Sequence, residues 1–141
     1  MASAAAMSRN TQTTPRIRAL IVNDSPKSIA DISSILEKDE RVDVVATALD
    51  GVVGLRAALT HSPDLIVIDM DTAYLSGIEA TVLLKQRLPA VKIIIVYADE
   101  PCTTHDSAIA TAAVSYGADA FLSSQKLSAE CGSQLIRLFP A

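Results

Sequence analysis

The acidic residues of this sequence gather where apolar runs end. In LIVIDMDTAYLSG, Leu65 to Gly77, an unbroken aliphatic run leads directly into Asp69, Met70 and Asp71, and the run Ile17 to Val22 meets Asn23, Asp24 and Ser25. Phosphate chemistry places an aspartate nucleophile at such a strand end in two different settings, a phosphoryl acceptor and a phosphatase. Asp24 and Asp69, arriving from separate strands, would stand a few ångströms apart. Unpaired, they repel and push one pKa upward, and a hard cation such as Mg²⁺ relieves the repulsion through oxygen ligands. Either aspartate alone would read as a cap for the loop or helix that follows. Their convergence favours a metal site.

Bringing those residues together requires a sheet. Strand-length apolar runs recur at Ile17–Val22, Val42–Ala48, Leu65–Ile68, Val91–Val96 and Asp119–Ser123. Most are continuous rather than alternating, as in parallel strands covered on both faces. Between them, Ser25 reads as an N-cap before Pro26, and Ile29, Ile32, Ile35 and Leu36 share one helical face. Further helices are predicted over Val52–Thr60, Ile78–Arg87, Thr104–Tyr116 with Gly117 as its stop, and Ala129–Leu138. The alternation is (βα)₅, an α/β doubly wound parallel sheet with right-handed crossovers. Sites in such sheets lie at the carboxyl ends of strands, where the strand order reverses. Here those ends are Asn23-Asp24, Asp69, Tyr97-Ala98-Asp99 and Ser123-Ser124.

The chain of 141 residues suits one domain, with residues 1–15 as a disordered tail and 16–141 as the folded unit. Twelve basic residues against 16 acidic ones, a net charge of −4 and no Lys/Arg run argue against direct nucleic-acid binding. Cys102 and Cys131 stand without a second pair or a nearby His, which excludes a zinc ribbon or disulfide framework and fits a reducing compartment. The N-terminal segment lacks the basic start and apolar run of a signal peptide, and no stretch reaches the ~18 apolar residues of a membrane helix. A cytoplasmic location, with no membrane partner, is expected.

Several motifs in order carry a family resemblance: the turn Asn23-Asp24-Ser25, ALDG at Ala48–Gly51, SPDLIVID at Ser62–Asp69, GIEA at Gly77–Ala80 and YGADAFL at Tyr116–Leu122. Over about Arg16 to Phe139 the chain resembles the CheY-like receiver domain of two-component response regulators. The GIEAT run and the spacing after strand 2 look most like NarL/LuxR-type receivers, whose members usually carry a DNA-binding helix-turn-helix. No such output domain is expected within these residues. The resemblance implies a flavodoxin-like fold with strand order 2-1-3-4-5 and a non-enzymatic role. It makes Asp69 the phosphoacceptor, supplied by a histidine kinase or phosphotransfer protein. Asp24 and the Asp69 carboxylate, with the backbone carbonyl of Asp71, would hold Mg²⁺. Phe121 takes the aromatic switch position, Tyr97 the place of its hydroxyl partner, and Asn23, Ala98 and Ser124 neighbour the site. A homodimer through the helix 4, strand 5 and helix 5 face is a further implied partner.

The pattern is atypical in four places. Asn23 replaces the first acidic residue of strand 1, so Mg²⁺ is expected to bind weakly. Tyr97 stands where the family has Ser or Thr, and Thr72-Ala73 stand for Met-Pro, loosening the turn after Asp69. Ser124 and Gln125 replace the Lys-Pro that follows strand 5. A unit charge ~4 Å from the phosphoryl group is worth roughly 4 kcal/mol at an effective dielectric near 20, so the lysine loss is the heaviest. Lys126, two positions later, is placed to reach back, although a loop lysine is more often solvated, and DEPCTTHD, Asp99 to Asp106, is read as a long loop over the site.

Two other readings compete. A haloacid-dehalogenase-type phosphatase shares the Asp-x-Asp strand end, but its Thr or Val four residues after the nucleophile is Ala73 here. A phosphorylation-independent pseudo-receiver would use the same fold purely as an interaction module. His61 and His105 read as surface residues, and Tyr74 and Ser76 as loop residues that an incoming donor could touch.

Overall fold

A computed structural model describes residues 16–98 and 110–140. The five strands β1 (Ile17–Val22), β2 (Val42–Ala48), β3 (Leu65–Asp69), β4 (Lys92–Tyr97) and β5 (Ala120–Ser123) form one parallel sheet in the order β2-β1-β3-β4-β5. The helices are α1 (Pro26–Leu36), α2 (Gly51–His61), α3 (Gly77–Arg87), α4, described over 110–115, and α5 (Ser124–Leu138). The doubly wound fold and strand order implied by the sequence are those observed. The N-terminal segment, the Asp99–Asp106 loop with Cys102 and His105, and the start of the helix expected from Thr104 lie outside the described residues.

Continuous aliphatic strands follow from a sheet buried on both sides. Successive side chains point to opposite faces, so each run supplies two cores. Ile21, Val67, Ile94 and Val96 pack under α1 and α5 with Leu36, Leu127 and Leu135. Val22, Ile68, Ile93 and Ile95 pack on the other face with Ala58 of α2, Ala80 and Leu84 of α3 and Ala113 of α4. Capping sets the helix starts as expected: the Ser25 hydroxyl accepts from Ser28 N–H at 3.2 Å and the Asp50 carboxylate from Val53 N–H at 2.8 Å. Gly117 ends α4 with φ +113, a conformation costly for any side-chain-bearing residue.

Strand bounds shift by one residue in β3, β4 and β5 against the sequence reading. The larger correction is α5, which begins at Ser124 rather than Ala129. Ser123 is its N-cap, its hydroxyl accepting from Lys126 N–H at 3.2 Å. Lys126 is therefore an exposed residue of the first helical turn and not a loop lysine. Among the described residues no helix is long and apolar enough to cross a membrane.

Candidate functional site

The β1–β3 register decides what meets at the carboxyl edge. Val22 pairs with Ile68, so Asn23 and Asp69 leave the sheet side by side, with Asp24 one residue beyond. β3 lies between β1 and β4, and Met70 N–H donates to Val96 C=O at 2.8 Å, extending the ladder past the acceptor strand's end.

Asp69 is half-buried there, and its pKa is raised to about 6. Desolvation is the largest cause, followed by the negative charge of Asp71 and then that of Asp24. Backbone hydrogen bonds at Asp71 and Met70 pull in the opposite direction without cancelling the rise. The expected carboxylate repulsion is thus present, yet it is secondary to burial. Asp24 and Asp71 are exposed.

Asn23 is 7% exposed, and its Oδ1 accepts from Ser25 N–H at 3.0 Å, which builds the turn carrying Asp24. The side chain that lowers the acidic charge therefore also shapes the loop.

The loop after Asp69 is not loosened by Thr72-Ala73, contrary to the sequence expectation. Thr72 is buried, and its hydroxyl donates to Leu75 C=O at 2.5 Å. Gly51 N–H donates to Ala73 C=O at 3.2 Å, tying the loop to the start of α2. Gly77 N–H returns to Met70 C=O at 2.9 Å. A Cβ on Gly77 would stand 2.9 Å from the Asp69 carbonyl oxygen and 3.0 Å from Met70 Cα, so only glycine lets α3 start this close to the acceptor. Ser76 is committed to a capping box with Glu79, at 3.0 and 3.1 Å, whereas Tyr74 is 85% exposed with φ +69. His61 is the exposed last residue of α2 and lies away from these carboxylates, at the opposite end of the strands.

At the β4–β5 end the Tyr97 and Phe121 rings stack with centroids 4.5 Å apart and planes at 16°. Both strands present these rings on the face that also carries Ile93 and Ile95. Ser124 Oγ donates to Tyr97 C=O at 3.1 Å, tying the first turn of α5 to the end of β4. Ala98 is exposed beside them, and Lys126 is exposed in the first turn of α5.

A divalent cation fits the donor set at Asp24, Asp69 and Asp71. Among the described residues no three His, Cys, Asp or Glu side chains form a metal cluster. The two carboxylates and one backbone carbonyl expected here leave the remaining positions to water and phosphoryl oxygens, which suits Mg²⁺. Asp71 and Asp24 add negative charge beside Asp69, second to the effect of burial, and a cation held there would offset it.

Several proteins of known identity are similar to this chain. A protein-glutamate methylesterase/protein-glutamine glutaminase of Geobacter metallireducens is 40% identical over 74 residues, 52% of this chain and 21% of that one. The transcriptional regulatory protein LnrK of Bacillus subtilis is 30% identical over 106 residues, covering 75% of this chain and 46% of that one. The chain thus spans about a fifth to a half of the length of these relatives. Among solved structures, the response regulator domain of Thermotoga maritima CheB superimposes with a TM-score of 0.76 at 25% identity, covering 89% of this chain and 98% of that one. The signal receiver domain of NarL from Mycobacterium tuberculosis also gives 0.76, covering 90% and 99%, and at 22% identity attests the fold alone. Residues 19–129 match the response regulator receiver domain, and with the sheet order and the acidic carboxyl edge observed here the chain belongs to that family.

Proposed function

We propose that this receiver accepts a phosphoryl group on Asp69 from a phosphohistidine of a histidine kinase or phosphotransfer protein. The observation that carries the reading is the desolvated Asp69 carboxylate at the end of β3, its pKa raised to about 6 by burial and by Asp71 and Asp24. An ionised Asp69 oxygen attacks phosphorus, the O–P bond forms as the donor P–N bond breaks, and the departing imidazole nitrogen takes a proton. Asp24, the Asp69 carboxylate and the Asp71 carbonyl would hold Mg²⁺, which when bound neutralises charge on the transferred oxygens. Asn23 in place of an acid makes that hold weaker. The braced Thr72–Leu75 turn keeps the approach to Asp69 fixed.

In this reading the chain receives a phosphoryl group rather than turning over a separate substrate, in a cytoplasmic setting. It makes no direct nucleic-acid contact, consistent with its net charge of −4. Homodimerisation through α4, β5 and α5 belongs to the same reading, supported by the exposed apolar side chains Val114, Tyr116 and Ile136 at and beyond α4 and on α5.

The test is incorporation from phosphoramidate, a small P–N donor, as a function of pH and Mg²⁺. Because the attacking form is the carboxylate, which bound Mg²⁺ favours, uptake requires Mg²⁺ and falls at acid pH as Asp69 is protonated. Uptake independent of both would overturn the reading.

A further inference from the structure

Two of the departures from the receiver pattern, Asn23 and Ser124, line one cavity of about 420 Å³ between α1 and α5. Ile32 and Ile35 of α1, Val96 of β4 and Leu127 of α5 give it apolar lining, and Asp31, Ser28 and Ser34 line it too. The size lies in the range of small-molecule sites, which pair an apolar lining with a few placed polar groups.

Asn23 supplies such a group. Its side chain is more than nine-tenths buried, and Oδ1 is committed to Ser25 N–H at 3.0 Å. That bond also fixes the amide orientation, since the reversed amide would set two donors against each other. The Nδ2 donors have no acceptor within the chain among the described residues. Buried amide donors are ordinarily satisfied, and an exception on a cavity wall points to an acceptor that enters the cavity. Asp31 on the lining, with Asp24 and Asp69 on the flanking loops, disfavours an anion there.

We propose that the α1–α5 cavity binds a small, mainly apolar, uncharged molecule whose carbonyl-type oxygen accepts from Asn23 Nδ2. This is an input separate from Asp69 and does not depend on phosphoryl transfer.

Acetanilide, a neutral aryl amide, is a suitable probe, with phenylacetate as its anionic counterpart. Titration of the ¹⁵N-labelled chain with acetanilide is expected to give saturable shifts at the Asn23 side-chain amide and along α1 and the start of α5. A dissociation constant of about 1 mM is expected for so few atoms. Asn23→Ala should weaken binding about five- to tenfold, the worth of one hydrogen bond, and Ile35→Trp, which fills the cavity, should abolish it. Phenylacetate should bind more weakly than acetanilide, and Asp69→Asn should leave acetanilide binding in place even if phosphoryl uptake is never seen. Thermal melts verify that the variants fold, and Ser28→Trp, at another lining position, substitutes for either that does not. Absence of saturable shifts around the cavity, or equal affinity in the parent and the folded cavity variants, would overturn the proposal.

Discussion

The carboxyl edge of the sheet has two unlike halves. Where β1 and β3 end, the side chains are acidic, Asp69 is desolvated, and backbone bonds and a glycine contact hold the acceptor loop. Among the described residues where β4 and β5 end, Tyr97 stacks on Phe121, and Ser124 is bonded to the Tyr97 carbonyl. In the proposed reading the first half supplies the carboxylate that phosphoryl acceptance demands. The second has Tyr97 and Ser124 where the receiver pattern has a small hydroxyl residue and a lysine. In the proposed reading β1 and β3 supply the phosphoryl acceptor, while the β4–β5 end tunes the rate of acceptance and carries the response.

The comparison is tested most strongly by repairing the second half. Ser124→Lys restores a cation near the acceptor; about 4 kcal/mol is available at ~4 Å and an effective dielectric near 20, so initial rates of phosphoryl uptake should rise at least about tenfold. An unchanged rate would mean that the neutral β5 end does not limit acceptance. The converse damage is Gly77→Ala, which forces a Cβ against the Asp69 carbonyl at 2.9 Å. Urea unfolding should show a loss of about 1–3 kcal/mol, with slower phosphoryl uptake.

A smaller effect follows from Asp69 itself. Its folded pKa, about 6, lies above the 3.8 of an ordinary aspartate, so between these values the folded state binds more protons than the unfolded one. Stability contributed by the protonated group is complete below about pH 4 and is lost as pH rises through about 6. With allowance for solvent on its open side, the loss is about 1–2 kcal/mol. Asp69→Asn should escape it, melting about 3–6 °C higher at pH 7.5, with the gain vanishing near pH 3.5 and shrinking in Mg²⁺. A variant less stable than the parent at pH 7.5 would contradict the strained-carboxylate account. The smallest effect is expected from Tyr97→Thr, which removes a ring stack worth about 1 kcal/mol. In that variant, but not in the parent, the Phe121 resonances should move when Asp69 is phosphorylated.

Much of this was legible in the residues. The bounds of β1 and β2 follow from their apolar runs, and Asp24 and Asp69 meet because parallel pairing places the ends of β1 and β3 together. The start of α5 was obscured because Ser123 to Lys126 offers no apolar residue before Leu127; the capping serine was the available signal. The firmness of the Thr72-Ala73 turn depends on a buried hydroxyl bond to Leu75, which residue types alone do not reveal. That desolvation outweighs repulsion at Asp69 likewise depends on packing. The α1–α5 cavity joins residues about a hundred positions apart, and no local pattern announces it.

The central claim, that Asp69 remains a working acceptor despite the altered β4–β5 end, is tested most directly by intact mass after incubation with acetyl phosphate and Mg²⁺, beside Asp69→Asn. The account predicts one added phosphoryl group on the parent and none on the variant. No addition to the parent, or equal addition to both, would contradict it.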